Sequence, residues 1–318
     1  MSAYQKHFIH IISEQLPEGV KLVDFISELI HLGKEACYRR IRGEVEFTLT
    51  EVVTIAKAMN INLTSLIIRE GGDKITCNLR VLKEDSLEQV YIRMIEAELN
   101  VLEGFEQKSR HTLHMVCKEL PELLYLASDN LMKLRLMKIE LNQGVLIPTA
   151  FKKIEITSAI KRIQQRYWQA LQDFKLTVYL GPDILNTLVY DILYFYKINT
   201  LTEEDKTLIQ SELNDVIDLL SLIGSTGKYK NKDIELYLSY LGLDISHNYL
   251  KSDGLEASVV HLSSPNSILS FDPAFNNAQE HRINMIKRTS TLISLSGEPE
   301  KVAYLNKQRE VLKNIKSK

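Results

Sequence analysis

Long apolar runs are missing from this chain. No stretch approaches the roughly 20 apolar residues that a helix needs to cross a bilayer, so no membrane partner is expected. The opening MSAYQKHFIHIISEQL reads as neither a signal peptide nor a spanning helix, and the expected location is the cytoplasm. Glycine and proline are few, 13 and 7 in 318 residues. With Leu, Ile, Glu and Lys plentiful, that favours helix over most of the length. The three cysteines, Cys37, Cys77 and Cys117, are odd in number and far apart. They read as reduced thiols and exclude a disulfide framework. Net charge is also lacking. At -2, no global positive field draws the molecule onto nucleic acid, so any such binding must come from a local patch.

Catalytic signatures are absent as well. There is no P-loop, dinucleotide-binding glycine fingerprint or nucleophile elbow. GSTGKYK contains a Gly-Lys pair without the leading strand and glycine spacing of a P-loop, and it reads as a loop. His7 with His10 and His111 with His114 are spaced i,i+3, but no cysteine or carboxylate completes a tetrahedral set. The chain is therefore not expected to be an enzyme, and no cofactor or metal is expected.

What is present begins with a run of short helices. Residues 4 to 15 place Phe8, Ile11 and Ile12 on one side, and Pro17 and Gly19 end the segment. VKLVDFISELIHLGK follows, with Leu22, Phe25, Ile26, Leu29 and Ile30 at helical spacing and a break at Gly33. EACYRRIRGE comes next and is closed by Gly43. FTLTEVVTIAKAMN then carries strong start signals. Thr48 and Glu51 fit a capping box, and Phe47 with Val52 fits a hydrophobic staple. Leu49, Val52, Val53, Ala56 and Met59 form its expected buried stripe, and Asn60 suits its C-terminal end. INLTSLII gives a short fifth helix, with Asn62 as its cap.

On the third helix, Cys37 and Ile41 are one turn apart and face inward. Lys34, Glu35, Tyr38, Arg39 and Arg42 then point outward. Such a helix fits the major groove of duplex DNA, about 12 Å wide. Arginine suits guanine through its fork, and lysine or tyrosine suits phosphate. Arg40 lies nearest the buried side, where it can pair with Glu44 or Glu51, and completes the expected DNA-binding set. The bland reading is a solvated face on a protein-interaction bundle.

LVDFISELIHLGKEACYRRIRGEVEFTLTEVVTIAKAMNINLTSLI resembles the Cro/CI-type (XRE-like) helix-turn-helix domain of bacterial transcription regulators. The marks are Arg-Gly-Glu after the recognition helix, the T-L-x-E helix start, and the closing IAKAMNINLTSL. The resemblance covers roughly residues 4 to 69. It implies that the CYRRIRG helix enters the major groove. The family's usual glutamine at the start of the scaffold helix is not evident here.

Beyond it, REGGDK is the clearest linker and KITCNLRVLK reads as extended. From about Leu87 to Ser225 the pattern is helical. Examples are SLEQVYIRMIEAELNVLEGFEQ, SAIKRIQQRYWQALQDFKL, PDILNTLVYDILYFYKI and TEEDKTLIQSELNDVIDLLSLIG. No self-similar period marks a solenoid. Tyr190, Tyr194 and Phe195, with Tyr167 and Trp168 upstream, either line a pocket or belong to the core. After STGKYKNKD the period changes to two: Ile234, Leu236, Leu238 and Tyr240 alternate with Glu235, Tyr237 and Ser239. Ser252-Asp253-Gly254 reads as a hairpin turn, SILSF as a further strand, and Pro273 and Pro299 as helix openers. The basic end KQREVLKNIKSK reads as an exposed helix face.

The expected fold is mainly α with a small α+β C-terminal part. Residues 1–70 form the helix-turn-helix bundle and 71–85 the linker. Residues 86–228 form a helical domain for dimerisation or sensing, and 229–318 an antiparallel sheet with two helices. The expected function is a sequence-specific DNA-binding regulator. Its expected partners are double-stranded DNA, a second copy of the chain, and a small-molecule or peptide effector that the sequence does not name. Two alternatives stand beside it: a peptide- or partner-sensing regulator with a helical-repeat body, and a protein-interaction adaptor that does not bind DNA.

Overall fold

The computed structural model describes residues 2–16, 19–59, 61, 63, 75, 77–83, 86–105 and 111–315. Its contacts divide the chain into two units, Met1–Thr76 and Cys77–Lys318. REGGDK, Asn60 and Asn62 lie outside the described residues, as does most of the expected fifth helix.

The first unit holds α1 (Ala3–Gln15), α2 (Leu22–Leu29), α3 (Lys34–Ile41) and α4 (Leu49–Ala58). Each gives an apolar stripe to one core: Phe8 and Ile12, Val23 and Ile26, Cys37, and Ile55 with Ala56. The capping box of α4 forms as expected. Thr48 Oγ1 accepts from the Glu51 amide at 3.3 Å, and Glu51 Oε2 accepts from the Thr48 amide at 2.9 Å. Leu49, expected in the buried stripe, is instead 77 % exposed. It starts the helix, and the residues that reach the core lie a turn and a half further on. The residue that reverses the chain between α2 and α3 is His31, in the left-handed region with φ 53°. Gly33 is the N-cap of α3 at φ -60°. Gly43, at φ 74°, closes α3 as the sequence suggests.

Among the described residues, the second unit is built on one nine-stranded mixed sheet. Its strands are β1 (Asn78–Arg80), β2 (His111–Cys117), β3 (Phe174–Leu180), β4 (Lys228–Tyr229), β5 (Lys232–Ser239), β6 (His247–Ser252), β7 (Leu255–His261), β8 (Ser267–Ser270) and β9 (Ser290–Leu292). The order is β1-β8-β7-β6-β2-β3-β5, with β4 and β9 both pairing β5. β2, β3 and β5 run parallel. Parallel neighbours need long crossovers, which the helices supply. α5 (Leu87–Glu103) precedes β2. α6 (Glu122–Tyr125), α7 (Asp129–Asn142) and α8 (Ser158–Leu171) lie between β2 and β3. α9 (Asn186–Lys197) and α10 (Glu203–Thr226) lie between β3 and β5. β6, β7 and β8 form an antiparallel meander, and β1 pairs the outer edge of β8.

Period-two alternation sorts the strand residues onto two faces. Leu113, Met115 and Cys117 of β2 align with Leu176, Val178 and Leu180 of β3, which align with Ile234, Leu236 and Leu238 of β5. These face the large core under α5 to α10. The final helix, α12 (Glu298–Lys313), joins that core through Tyr304, Leu305 and Leu312. Val116, Tyr179, Tyr237 and Tyr249 face the other way, where Ile283 and Ile286 of α11 (Pro273–Arg288) cover them.

This overturns the expected mainly helical chain with a small C-terminal α+β part. The sheet takes β2 and β3 from the stretch read as a helical domain and β5 to β9 from the stretch read as a separate module. Its two central strands were hidden for a physical reason. HTLHMVC and FKLTVYL do alternate, with Leu113, Met115 and Cys117 against Thr112 and His114, and Phe174, Leu176 and Val178 against Lys175 and Thr177. But each is only seven residues long and lies between long stretches of helical period, so that FKL reads as the tail of the SAIKRIQQRYWQALQDFKL pattern.

Candidate nucleic-acid interface

α3 is fixed from below. Cys37 is fully buried, and its Sγ lies 3.8 Å from the Leu32 carbonyl. Gln5 of α1 reaches under the end of α3, where its Nε2 donates to the carbonyls of Arg40 at 2.7 Å and Val45 at 3.0 Å. Arg40 lies on this inner side. Its Nε and Nη2 donate to the two Glu51 oxygens, each at 2.9 Å, with both side chains 15 % exposed. Burial alone would raise the Glu51 carboxyl. The Arg40 guanidinium and the Thr48 amide together hold it below its ordinary value. Arg40, one of the six residues expected to meet DNA, therefore ties α3 to α4 and is turned away from the outer face.

The other five, Lys34, Glu35, Tyr38, Arg39 and Arg42, are exposed together on that outer face. Each cation has an acid beside it. Lys34 pairs with Asp24 at 2.6 Å, Arg39 with Glu44 at 3.6 Å, and Arg42 with Glu44 at 3.0 Å and Glu35 at 3.6 Å. The hydrogen bond from Lys34 holds the Asp24 carboxyl down and raises the Lys34 ammonium. Three cations face three acids, so the patch is close to neutral as it stands. All these side chains are about half exposed or more, and exposed pairs of this kind are worth about 0–1 kcal/mol. They exchange readily for stronger partners.

The remaining candidates disperse. His111 and His114 lie on a strand, where a spacing of three puts them on opposite faces. The His111 ring meets Phe105 and Phe174 in the core, whereas His114 stacks against Tyr179 and Tyr249. Among the described residues, no group of three or more His, Cys, Asp or Glu could hold a metal ion. Tyr190 is 70 % exposed while Phe195 is fully buried, so they do not line one pocket. Tyr167 is buried, and Trp168 packs edge-on against Tyr229 at 5.1 Å. Cys37 and Cys117 are buried and Cys77 is exposed, and none is in a disulfide. No described helix is long and apolar enough to cross a membrane.

Sequence reasoning missed a polar cluster inside the second unit. The Tyr91 hydroxyl donates to Glu122 Oε1 at 2.9 Å, and Arg135 Nε donates to Glu122 Oε2 at 3.1 Å. These residues come from α5, α6 and α7. Each reads locally as an ordinary polar position on an amphipathic helix, and only the fold brings them together.

No protein-family model, curated protein or solved structure matches the chain.

Proposed function

We propose that this chain is a sequence-specific DNA-binding transcriptional regulator whose first unit reads duplex DNA through α3. The observation that supports this most is the division of labour among the arginines. Arg40 is spent on Glu51, which fixes the helix, while Arg39 and Arg42 stay exposed beside Tyr38 and Lys34. On DNA, phosphates and base edges replace the weak pairs to Asp24, Glu35 and Glu44. Arg39 and Arg42 suit guanine O6 and N7, Glu35 suits the cytosine amino group, and Lys34 and Tyr38 suit phosphate. One such helix reads only a few base pairs, so the reading includes a homodimer. Two α3 helices about 34 Å apart would meet a two-fold symmetric site.

The phosphate-binding half of this reading is tested by fluorescence anisotropy on a random-sequence duplex. Affinity should fall steeply as salt rises and should drop in an Arg39→Ala/Arg42→Ala double variant. Absent or salt-independent binding would contradict it. A second reading draws on the acid-for-cation balance of the face: an adaptor that docks α3 onto another protein. That reading expects no duplex binding in the same titration.

A further inference from the structure

The second unit contains a cavity of about 400 Å3, a volume suited to a small-molecule ligand. It lies at the C-terminal end of β2, which is flanked by parallel β3 on one side and antiparallel β6 on the other. Open sheets covered by helices commonly bind ligands outside the carboxyl ends of their parallel strands, and β2 is one of the three parallel strands here. Part of its floor is the core-facing row of the sheet, in which Met115 pairs with Asn248 and Asn248 with Val259. Asn248 interrupts an otherwise apolar row. It is 8 % exposed and lines the cavity, and among the described residues its side-chain amide has no hydrogen-bond partner. The amide opens onto the cavity, where water or a ligand can reach it and satisfy it.

Two opposite charges also face this space. Glu98 of α5 is 14 % exposed, and burial raises its carboxyl above the ordinary value despite the Tyr167 hydroxyl beside it. The His261 Nδ1 is 3.8 Å away, but burial and the nearby Arg135 push that imidazole down to about 4. At neutral pH it therefore brings no positive charge. Arg80 of β1 is half-buried, and its side chain makes one hydrogen bond, from Nη1 to the Ala97 carbonyl at 2.7 Å. Arg80 and Glu98 both line the cavity and attract each other, yet no ion pair closes between them among the described residues. The neighbouring pair differs, since Arg135 and Glu122 already satisfy each other. Lys118, Glu119 and Asp244 also line the cavity but are exposed to solvent, so the partly buried and incompletely matched groups are the Glu98 carboxylate, the Arg80 guanidinium and the Asn248 amide. Apolar wall is supplied by Met94 and Leu120.

We infer that this cavity binds a small zwitterion, a free α-amino acid, with its ammonium on Glu98, its carboxylate on Arg80 and Asn248, and its side chain against Met94 and Leu120. A simple amine or a dicarboxylate satisfies only one of the two charges and leaves the other buried and unmatched. Such a site makes the second unit a sensor of amino-acid supply.

Isothermal titration calorimetry of the full chain without DNA tests this. The probes are free L-α-amino acids, each repeated as its N-acetyl derivative and its carboxamide. At least one free amino acid should bind saturably. Removing either charge from that ligand should weaken binding about tenfold or more. Glu98→Gln and Arg80→Gln should each weaken it similarly, with Trp168 fluorescence melts confirming that the variants fold. The ligand-side comparisons use the unaltered protein, so a variant that fails to fold does not spoil the test. The inference is overturned if no free amino acid gives a saturable heat, or if the blocked derivatives bind as well as the free ones. No DNA is present, so the outcome is independent of what the first unit does.

Discussion

Arg40 holds Glu51 with both arms of its guanidinium fork, and the same Glu51 carboxylate caps the first turn of α4 through the Thr48 amide. One side chain thus closes a helix end and fixes the angle between two helices. Breaking such a largely buried pair costs more than the pair contributes, because the remaining charge is left unmatched. Arg40→Ala should destabilise the first unit by about 2–4 kcal/mol. Hydrogen exchange in the full chain checks this: amides of α3 and α4 should lose protection, while those of β2 and β3 should not.

Acid should weaken the same contact. The Glu51 carboxyl is held below its ordinary value of 4.5. The unfolded chain therefore takes up a proton at higher pH than the folded one, and the stabilisation, complete above 4.5, is lost as pH falls through the lower folded value. Exchange protection of α4 should decline below about pH 4.5, and Glu51→Gln should remove most of that dependence. An unchanged acid limb in the variant would locate the sensitivity elsewhere.

Glu98 should behave with the opposite sign. Its folded carboxyl is raised, so ionised Glu98 is a burden that protonation relieves as pH falls. Glu98→Gln should raise the melting temperature of the second unit by a few degrees at neutral pH. The gain should shrink toward pH 4.5, the carboxyl's ordinary value. Trp168 is the only tryptophan and packs against Tyr229 in that unit, so its fluorescence reports this melt without interference from the first unit.

The place of α12 in the main core gives a further prediction. A Cβ on Gly224 of α10 would come within 2.5 Å of Lys301 Cδ and 3.3 Å of the Ile293 carbonyl. Lys301 is 1 % exposed, with its Nζ on Ser225 Oγ at 2.9 Å, so it has little room to withdraw. Gly224→Ala should cost about 1–3 kcal/mol through overpacking, read as a lower urea midpoint with an unchanged slope. A separate C-terminal module would leave the α10 core indifferent to this change.

How much of this was legible in the sequence differed between the two units. Thr48 and Glu51 announced their cap because the capping box is local chemistry, and Cys37 announced its burial through helical spacing. Pro273 and Gly254 marked a helix start and a turn for similarly local reasons. The sheet was hidden because β2 and β3 are short alternating segments set between long helical patterns, and their partners lie scores of residues away. Leu176, for example, pairs with both Leu113 and Ile234. The exposed members of the α3 set could be picked out in advance, whereas the fork on Glu51 needed the packing of α3 on α4. Arg80, Glu98 and Asn248 meet only through the sheet order, and no sequence window contains all three.

The central claim is that the outer face of α3 reads DNA, and its acid-for-cation balance permits a sharp test in both directions. Arg39→Ala should weaken specific binding by about 1–3 kcal/mol and relax one base position. Glu44→Gln frees Arg39 and leaves Arg42 only its longer contact to Glu35, and it should strengthen binding to any duplex while steepening its salt dependence. The most direct measurement is selection from a random duplex pool by the full chain, run beside the Arg39→Ala variant. The account predicts enrichment of a two-fold symmetric motif with half-sites one helical turn apart, and loss of one defined position from each half-site in the variant. A pool that stays random, or a motif unchanged by Arg39→Ala, would contradict it.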